Sequence, residues 1–175
     1  MEITPWEVVS SKISDAYLAG FLDGDGSVVA IISKQDIRRY PNKPYRIILR
    51  VNFTQHMRHE RILVAIKKYL SDAGSIRRSL SHNLSELVIV KKEAVEATLN
   101  KLLPHLILKQ TQARIALEMI NIFKNCKRVE KNAIASKDFA KLLSMAMEIR
   151  RLNSRTGGKS KLINPVTTQI SSEIG

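Results

Sequence analysis

The chain has 175 residues, 44% of them hydrophobic, which suits one domain with a real core. Lysine and arginine number 29 against 16 acidic residues, a net charge of +13 that favours a polyanionic partner, nucleic acid first and a membrane surface second. A lone Cys126 excludes an internal disulfide framework and zinc-ribbon spacing, and no apolar run has membrane-spanning length.

Residues 1–13 form an N-terminal extension with a short amphipathic segment, 5–13, whose Trp6 is expected to pack on the body. The mixed stretch 1–12, with Pro5, does not read as a secretory signal, so an intracellular location with the DNA is expected. Ser14 is a suitable N-cap for a helix over 15–25. In that helix Leu18, Phe21 and Leu22 mark one apolar face, and Ala16, Gly20 and Gly24 mark a second, nearly bare one. Each helical glycine costs about 1 kcal/mol against alanine. Two of them one turn apart imply a gain from close approach of another backbone. Asp23 and Asp25 stand at the C-terminal end, where the helix dipole disfavours carboxylates. A divalent cation would explain them; the simpler alternative is a C-cap and turn at Gly24-Asp25-Gly26 with φ > 0.

Residues 27–33 are β-branched and read as a strand, 41–44 as a proline turn, and 45–55 as a strand with period-two alternation. Tyr45, Ile47, Leu49, Val51 and Phe53 line its apolar face; Arg46, Ile48, Arg50 and Asn52 line the other. From 34 to 50 there are six basic residues, Lys34, Arg38, Arg39, Lys43, Arg46 and Arg50, and one acidic residue, Asp36. A ribbon this basic fits a DNA major groove better than it fits a solvated surface.

A helix over 59–70 turns Ile62, Leu63, Ile66 and Leu70 inward, and 72–74 closes it. Strands 75–79 and 86–90, joined by 80–85, make a second hairpin that carries Arg77 and Arg78, also assigned to DNA. Helices follow over 93–103, stopped by Pro104, and over 110–123. Ser136 reads as the N-cap of a last helix reaching about 152, before a polar, basic linker at 153–161 and a tail at 162–175. The segment His56-Met-Arg-His59-Glu60 lacks the His-Glu-x-x-His order of a metal helix, and His82 and His105 are isolated. The order predicts an α+β fold: one antiparallel four-stranded sheet with helices on one face, plus C-terminal helices.

Residues 18–26, Leu-Ala-Gly-Phe-Leu-Asp-Gly-Asp-Gly, resemble the motif of the LAGLIDADG homing endonucleases, with Phe at the first Ile-like position and Gly for the last Ala. Asn52-Phe-Thr-Gln55 and residues 102–113 resemble the corresponding segments of the single-motif members, so the resemblance covers about 15–123 and extends plausibly to the whole chain as a single endonuclease domain. It implies the αββαββα fold and, with one motif per chain, a homodimer whose bare faces meet through Ala16, Gly20 and Gly24. Asp23 would help the helix ends fit. It implies that Asp25 and the Gly24 carbonyl bind the catalytic Mg²⁺, which Mn²⁺ replaces and for which Ca²⁺ substitutes without cleavage. Gln55 would orient water, and Lys109 would lower its pKa or stabilise the transition state. The implied reaction is hydrolysis of one phosphodiester per strand in a long pseudo-palindromic double-stranded DNA, with no small-molecule substrate and no membrane. An RNA maturase on the same fold is one alternative. A DNA-binding regulator without catalysis is another, against which Asp25, Gln55 and Lys109 argue.

Overall fold

The computed structural model describes residues 12–36, 38–41, 45–126, 128–129 and 133–153. Trp6, Lys43, most of the 41–44 turn, and the linker and tail from residue 154 lie outside them.

Helix α1, Asp15–Asp25, begins where expected because the Ser14 side chain accepts the Tyr17 N–H at 3.2 Å. Its Leu18, Ala19 and Leu22 are buried, and Phe21 meets the Phe53 ring at 6.0 Å between centroids. The chain passes straight into β1, Gly26–Lys34, which pairs antiparallel with β2, Tyr45–His56. Val28 and Ala30 join Tyr45, Ile47, Leu49, Val51 and Phe53 in a buried row, as the alternation requires.

A 3₁₀ turn at Met57–His59 precedes α2, Arg61–Tyr69. The helix expected from 59 starts later because the Gln55 side chain takes the His56 N–H and the His56 ring takes the Arg58 N–H, holding the chain to the strand end. Strands β3, Ser75–Ser79, and β4, Leu84–Ile89, complete an antiparallel sheet of order β1-β2-β4-β3. The second strand of this hairpin starts two residues earlier than expected. A 3₁₀ turn at Leu80–His82 and Asn83, at φ 57°, reverse the chain, and asparagine tolerates that left-handed conformation. Gly74, at φ 81°, opens β3; a Cβ there would lie 2.5 Å from the Val88 carbonyl oxygen.

Helix α3, Lys92–Leu102, ends ahead of Pro104 as read, and α4 is Gln110–Asn125. A two-stranded ribbon, β5 Arg128–Val129 with β6 Ala133–Ile134, was not foreseen. Ser136, read as a cap, is the first residue of α5, Ser136–Asn153. Leu63, Ile66, Leu99, Leu102, Met119, Ile120, Leu142 and Ile149 from the helices form one core with the apolar row of the sheet. That is the α+β arrangement expected, with helices on one face.

The β3–β4 hairpin is locked to the start of α2 by one carboxylate. Arg78 donates to Glu60 through Nε at 2.6 Å and Nη2 at 2.5 Å, and Ser85 Oγ donates to it at 2.6 Å. The Arg78 hydrogen bond, then that of Ser85, holds the Glu60 carboxyl down to about 2. A folded-state pKa below the unfolded one adds stability that is complete above about pH 4.5 and fades as pH falls towards 2. Urea unfolding of wild type and Glu60→Gln should therefore show wild type more stable at neutral pH and the gap closing between about pH 4.5 and 2. A gap independent of pH would remove this role from Glu60.

Candidate active site and nucleic-acid face

At the α1–β1 junction Gly26 is extended, with φ −110° and ψ −179°, and its N–H closes the helix on the Leu22 carbonyl. Its glycine character answers to space. A Cβ would lie 2.6 Å from Leu22 Cδ1 and 2.8 Å from both Leu22 Cα and the Asn52 carbonyl oxygen. The simple reading of 24–26 as a positive-φ turn is thus overturned, since the positive-φ glycine among the described residues is Gly74.

Asp23 and Asp25 have different surroundings. Asp23 Oδ2 accepts the Ile107 N–H at 2.8 Å and the Leu108 N–H at 3.1 Å, and Oδ1 accepts the Lys109 N–H at 2.9 Å. These donors precede α4, whose N-terminal dipole favours the charge that the C-terminus of α1 disfavours. Asp23 is thus tied to the backbone that precedes α4. Lys109 Nζ also donates to the Asp23 carbonyl, so this lysine is fixed to the last turn of α1. Asp25 is exposed at that end, and no described residue hydrogen-bonds its carboxylate.

Gln55 reaches the same end of the sheet by register. Gly26 pairs with Phe53, and Gln55 lies two residues further along β2, opposite Ser85. Lys109 is thus held at the last turn of α1, and Gln55 lies two residues past the strand partner of Gly26.

Ala16, Gly20 and Gly24 are exposed, and a Cβ on either glycine would meet nothing within 4 Å. The bare face of α1 is open in the single chain. Among the described residues no three His, Cys, Asp or Glu side chains group to hold a metal. One chain offers Asp25 and the carbonyls at the end of α1, hard oxygen donors of the kind a divalent cation takes.

The face of the sheet away from the helices carries Arg46, Arg50 and Asn52 on β2 and Arg77 on β3. Arg50 Nε and Asn52 Oδ1 are buried there with no hydrogen-bond partner. Asn52 belongs both to the alternating row of β2 and to the Asn52-Phe-Thr-Gln55 segment. Arg38 and Arg39 are exposed near the hairpin tip, where a 3.9 Å contact of Arg39 with Asp36 is too solvated to hold it firmly.

Lys34 is exposed at the end of β1 and pairs with Tyr45. Arg78 pairs with Ser85 on the helix-covered side and bonds Glu60, while its neighbour Arg77 lies opposite Glu86 on the other side. Lys43 lies outside the described residues.

Fold and site together define a nucleic-acid-cutting protein: a basic sheet face beside an exposed carboxylate, a tethered lysine and a glutamine. The chain belongs to the LAGLIDADG endonuclease family, which residues 18–112 match, and its activity is that of a site-specific DNA endonuclease. It is 32% identical over 153 residues to DNA endonuclease I-CvuI of Chlorella vulgaris, covering 87% of this chain and 85% of that protein. It is 30% identical over 120 residues to DNA endonuclease I-CreI of Chlamydomonas reinhardtii, covering 63% and 64% of the two chains. The crystal structure of I-CvuI in complex with its target in the presence of calcium superposes with a TM-score of 0.74 at 26% identity, over 96% of this chain and 97% of that one. The archaeal intron-encoded I-Vdi141I complexed with DNA shares the fold, with a TM-score of 0.70 at 22% identity, over 92% and 97% of the chains.

Replacing Asp23 by alanine removes a charged acceptor from three N–H groups and should lower unfolding free energy by about 2 kcal/mol. Gly26→Ala, which drives a methyl into backbone, should cost about 1–3 kcal/mol. Urea titration checks both, and losses within about 0.5 kcal/mol would mean the junction is not a structural hinge point.

Proposed function

We propose that two copies of the chain pair through α1 and hydrolyse both strands of a long pseudo-palindromic DNA, with a Mg²⁺-supported site at each Asp25. The observation that carries this reading is the open glycine face leading directly to the exposed carboxylate. Helical glycines that meet nothing in their own chain cost stability without return unless another backbone packs there. A two-fold dimer presents this one face twice and brings the two Asp25 ends together.

The Asp25 carboxylate and the Gly24 carbonyl would hold the cation. When bound, it neutralises developing phosphate charge and makes water a better nucleophile. Mn²⁺ would replace it, and Ca²⁺ would support binding without cleavage. Use of a divalent cation is supported by I-CvuI, crystallised in complex with DNA in the presence of calcium and of magnesium. Gln55 orients the attacking water. Lys109, kept at the site by the Asp23 carbonyl, places its positive charge against the charge that develops. Arg46, Arg50, Asn52 and Arg77 face the groove, Arg38 and Arg39 serve phosphates near the hairpin tip, and Lys43 also binds DNA. The enzyme acts inside the cell, with its DNA; among the described residues no helix is long and apolar enough to cross a membrane.

Tests use a duplex selected from a randomised library. Asp25→Asn should abolish cleavage in Mg²⁺ at saturating enzyme while gel-shift binding in Ca²⁺ stays near wild type. Near-normal cutting by that variant would overturn the site. Gly20→Leu should convert the dimer to a monomer by sedimentation, and an undisturbed dimer would refute the α1 interface. Arg50→Ala should relax preference at one base pair per half-site by about 1–3 kcal/mol if it reads a base. A uniform loss across sequences would make it a phosphate contact instead.

A further inference from the structure

Gln55 and His56 end β2 half-buried, and the chain then turns through Met57–His59 towards α2. Gln55 Oε1 accepts the N–H of its own successor, His56, at 2.8 Å. A backbone N–H can only donate, so this bond fixes the amide with its oxygen turned back to the chain. The planar group then turns Nε2 away from His56, and no described residue accepts from it. His56 is in turn the N-cap of the 3₁₀ turn, its ring Nδ1 accepting the Arg58 N–H at 3.2 Å. The turn is pinned further along, where the Met57 N–H meets the Asn83 carbonyl at 2.9 Å and Glu60 accepts from Arg78 and Ser85. With the strand on one side and these bonds on the other, the direction of the His56 N–H rests on the cap that His56 makes. The direction of the Gln55 amide rests on that N–H.

We propose that His56 is a positioning residue for cleavage: its N–H and its ring together hold the Gln55 amide so that the NH₂ group is offered to the attacking water as a hydrogen-bond donor. The inference rests on the reading of Gln55 as the residue that orients water, and it states which way that amide faces. A donor takes up one lone pair of the water oxygen and leaves the other for attack on phosphorus. The inverted amide would set its NH₂ against the His56 N–H, donor against donor, and would lose the bond seen here. His56 touches neither water nor phosphate in this role; it acts through Gln55.

The test is single-turnover cleavage of the selected duplex in Mg²⁺ at saturating enzyme, with gel-shift affinity in Ca²⁺ beside it. His56→Ala removes the cap acceptor and should cut about fivefold more slowly, with affinity within about twofold of wild type. His56→Asn supplies a cap acceptor from a different side chain and should restore the wild-type rate. His56→Pro removes the N–H itself at a φ of −60° that proline adopts, and should cut about tenfold more slowly. In a Gln55→Ala background, His56→Ala should slow cleavage by less than about twofold further, because the group it positions is already gone. Circular dichroism should match wild type throughout. A His56→Ala enzyme that cuts like wild type while Gln55→Ala is slow overturns the proposal. So does an equal slowing with and without Gln55, or a His56→Asn enzyme as slow as His56→Ala. A loss of affinity with an unchanged saturated rate also overturns it, because His56 would then be a DNA contact. Wild-type cutting by Gln55→Ala overturns the reading of Gln55 itself.

Discussion

The working end of the protein depends on where the Asp23 carboxylate goes. At the end of α1 it meets an unfavourable dipole; at the start of α4 it meets a favourable one and three backbone donors. The hydrogen bonds to residues 107–109 therefore do more than secure two helices. They bring Lys109 against α1 and leave Asp25, two residues on, without a hydrogen-bond partner among the described residues. Gly26 completes the joint, because only a residue without Cβ lets β1 leave α1 against Leu22 and the Asn52 carbonyl. Two acidic residues of the same type, one residue apart, thus come to have opposite uses: one holds the frame and one faces outward.

Charge is sorted by the same architecture. On the helix side, acidic residues are matched: Lys67 with Asp72, Lys101 with Asp15, Lys124 with Glu96, Lys141 with Glu118, Arg151 with Glu148. Each such exposed pair adds little stability. Each is one acid with one base and so adds nothing to the +13 net charge, to which Arg46, Arg50 and Arg77 contribute on the other face of the sheet. The Glu60–Arg78–Ser85 cluster has a different task, holding the second hairpin to α2 so that the cationic row keeps a fixed shape.

The sequence by itself determined much of this. Ser14, the Leu18–Leu22 spacing and the alternation through 45–55 fixed α1, β2 and the buried face of the sheet, because capping and periodicity act between near neighbours. The contiguous motif at 18–26 identified the family and pointed to Asp25. The tertiary structure alone showed what Asp23 and Arg78 bond to. Asp23 meets partners 84 to 86 residues away, a distance no local pattern encodes. Arg77 and Arg78 lie on opposite sides of β3 because a strand's period of two fixes relative sides, while the pairing register decides which side meets helix. The open state of Gly20 and Gly24 likewise became visible only when every neighbouring atom of the fold was in place.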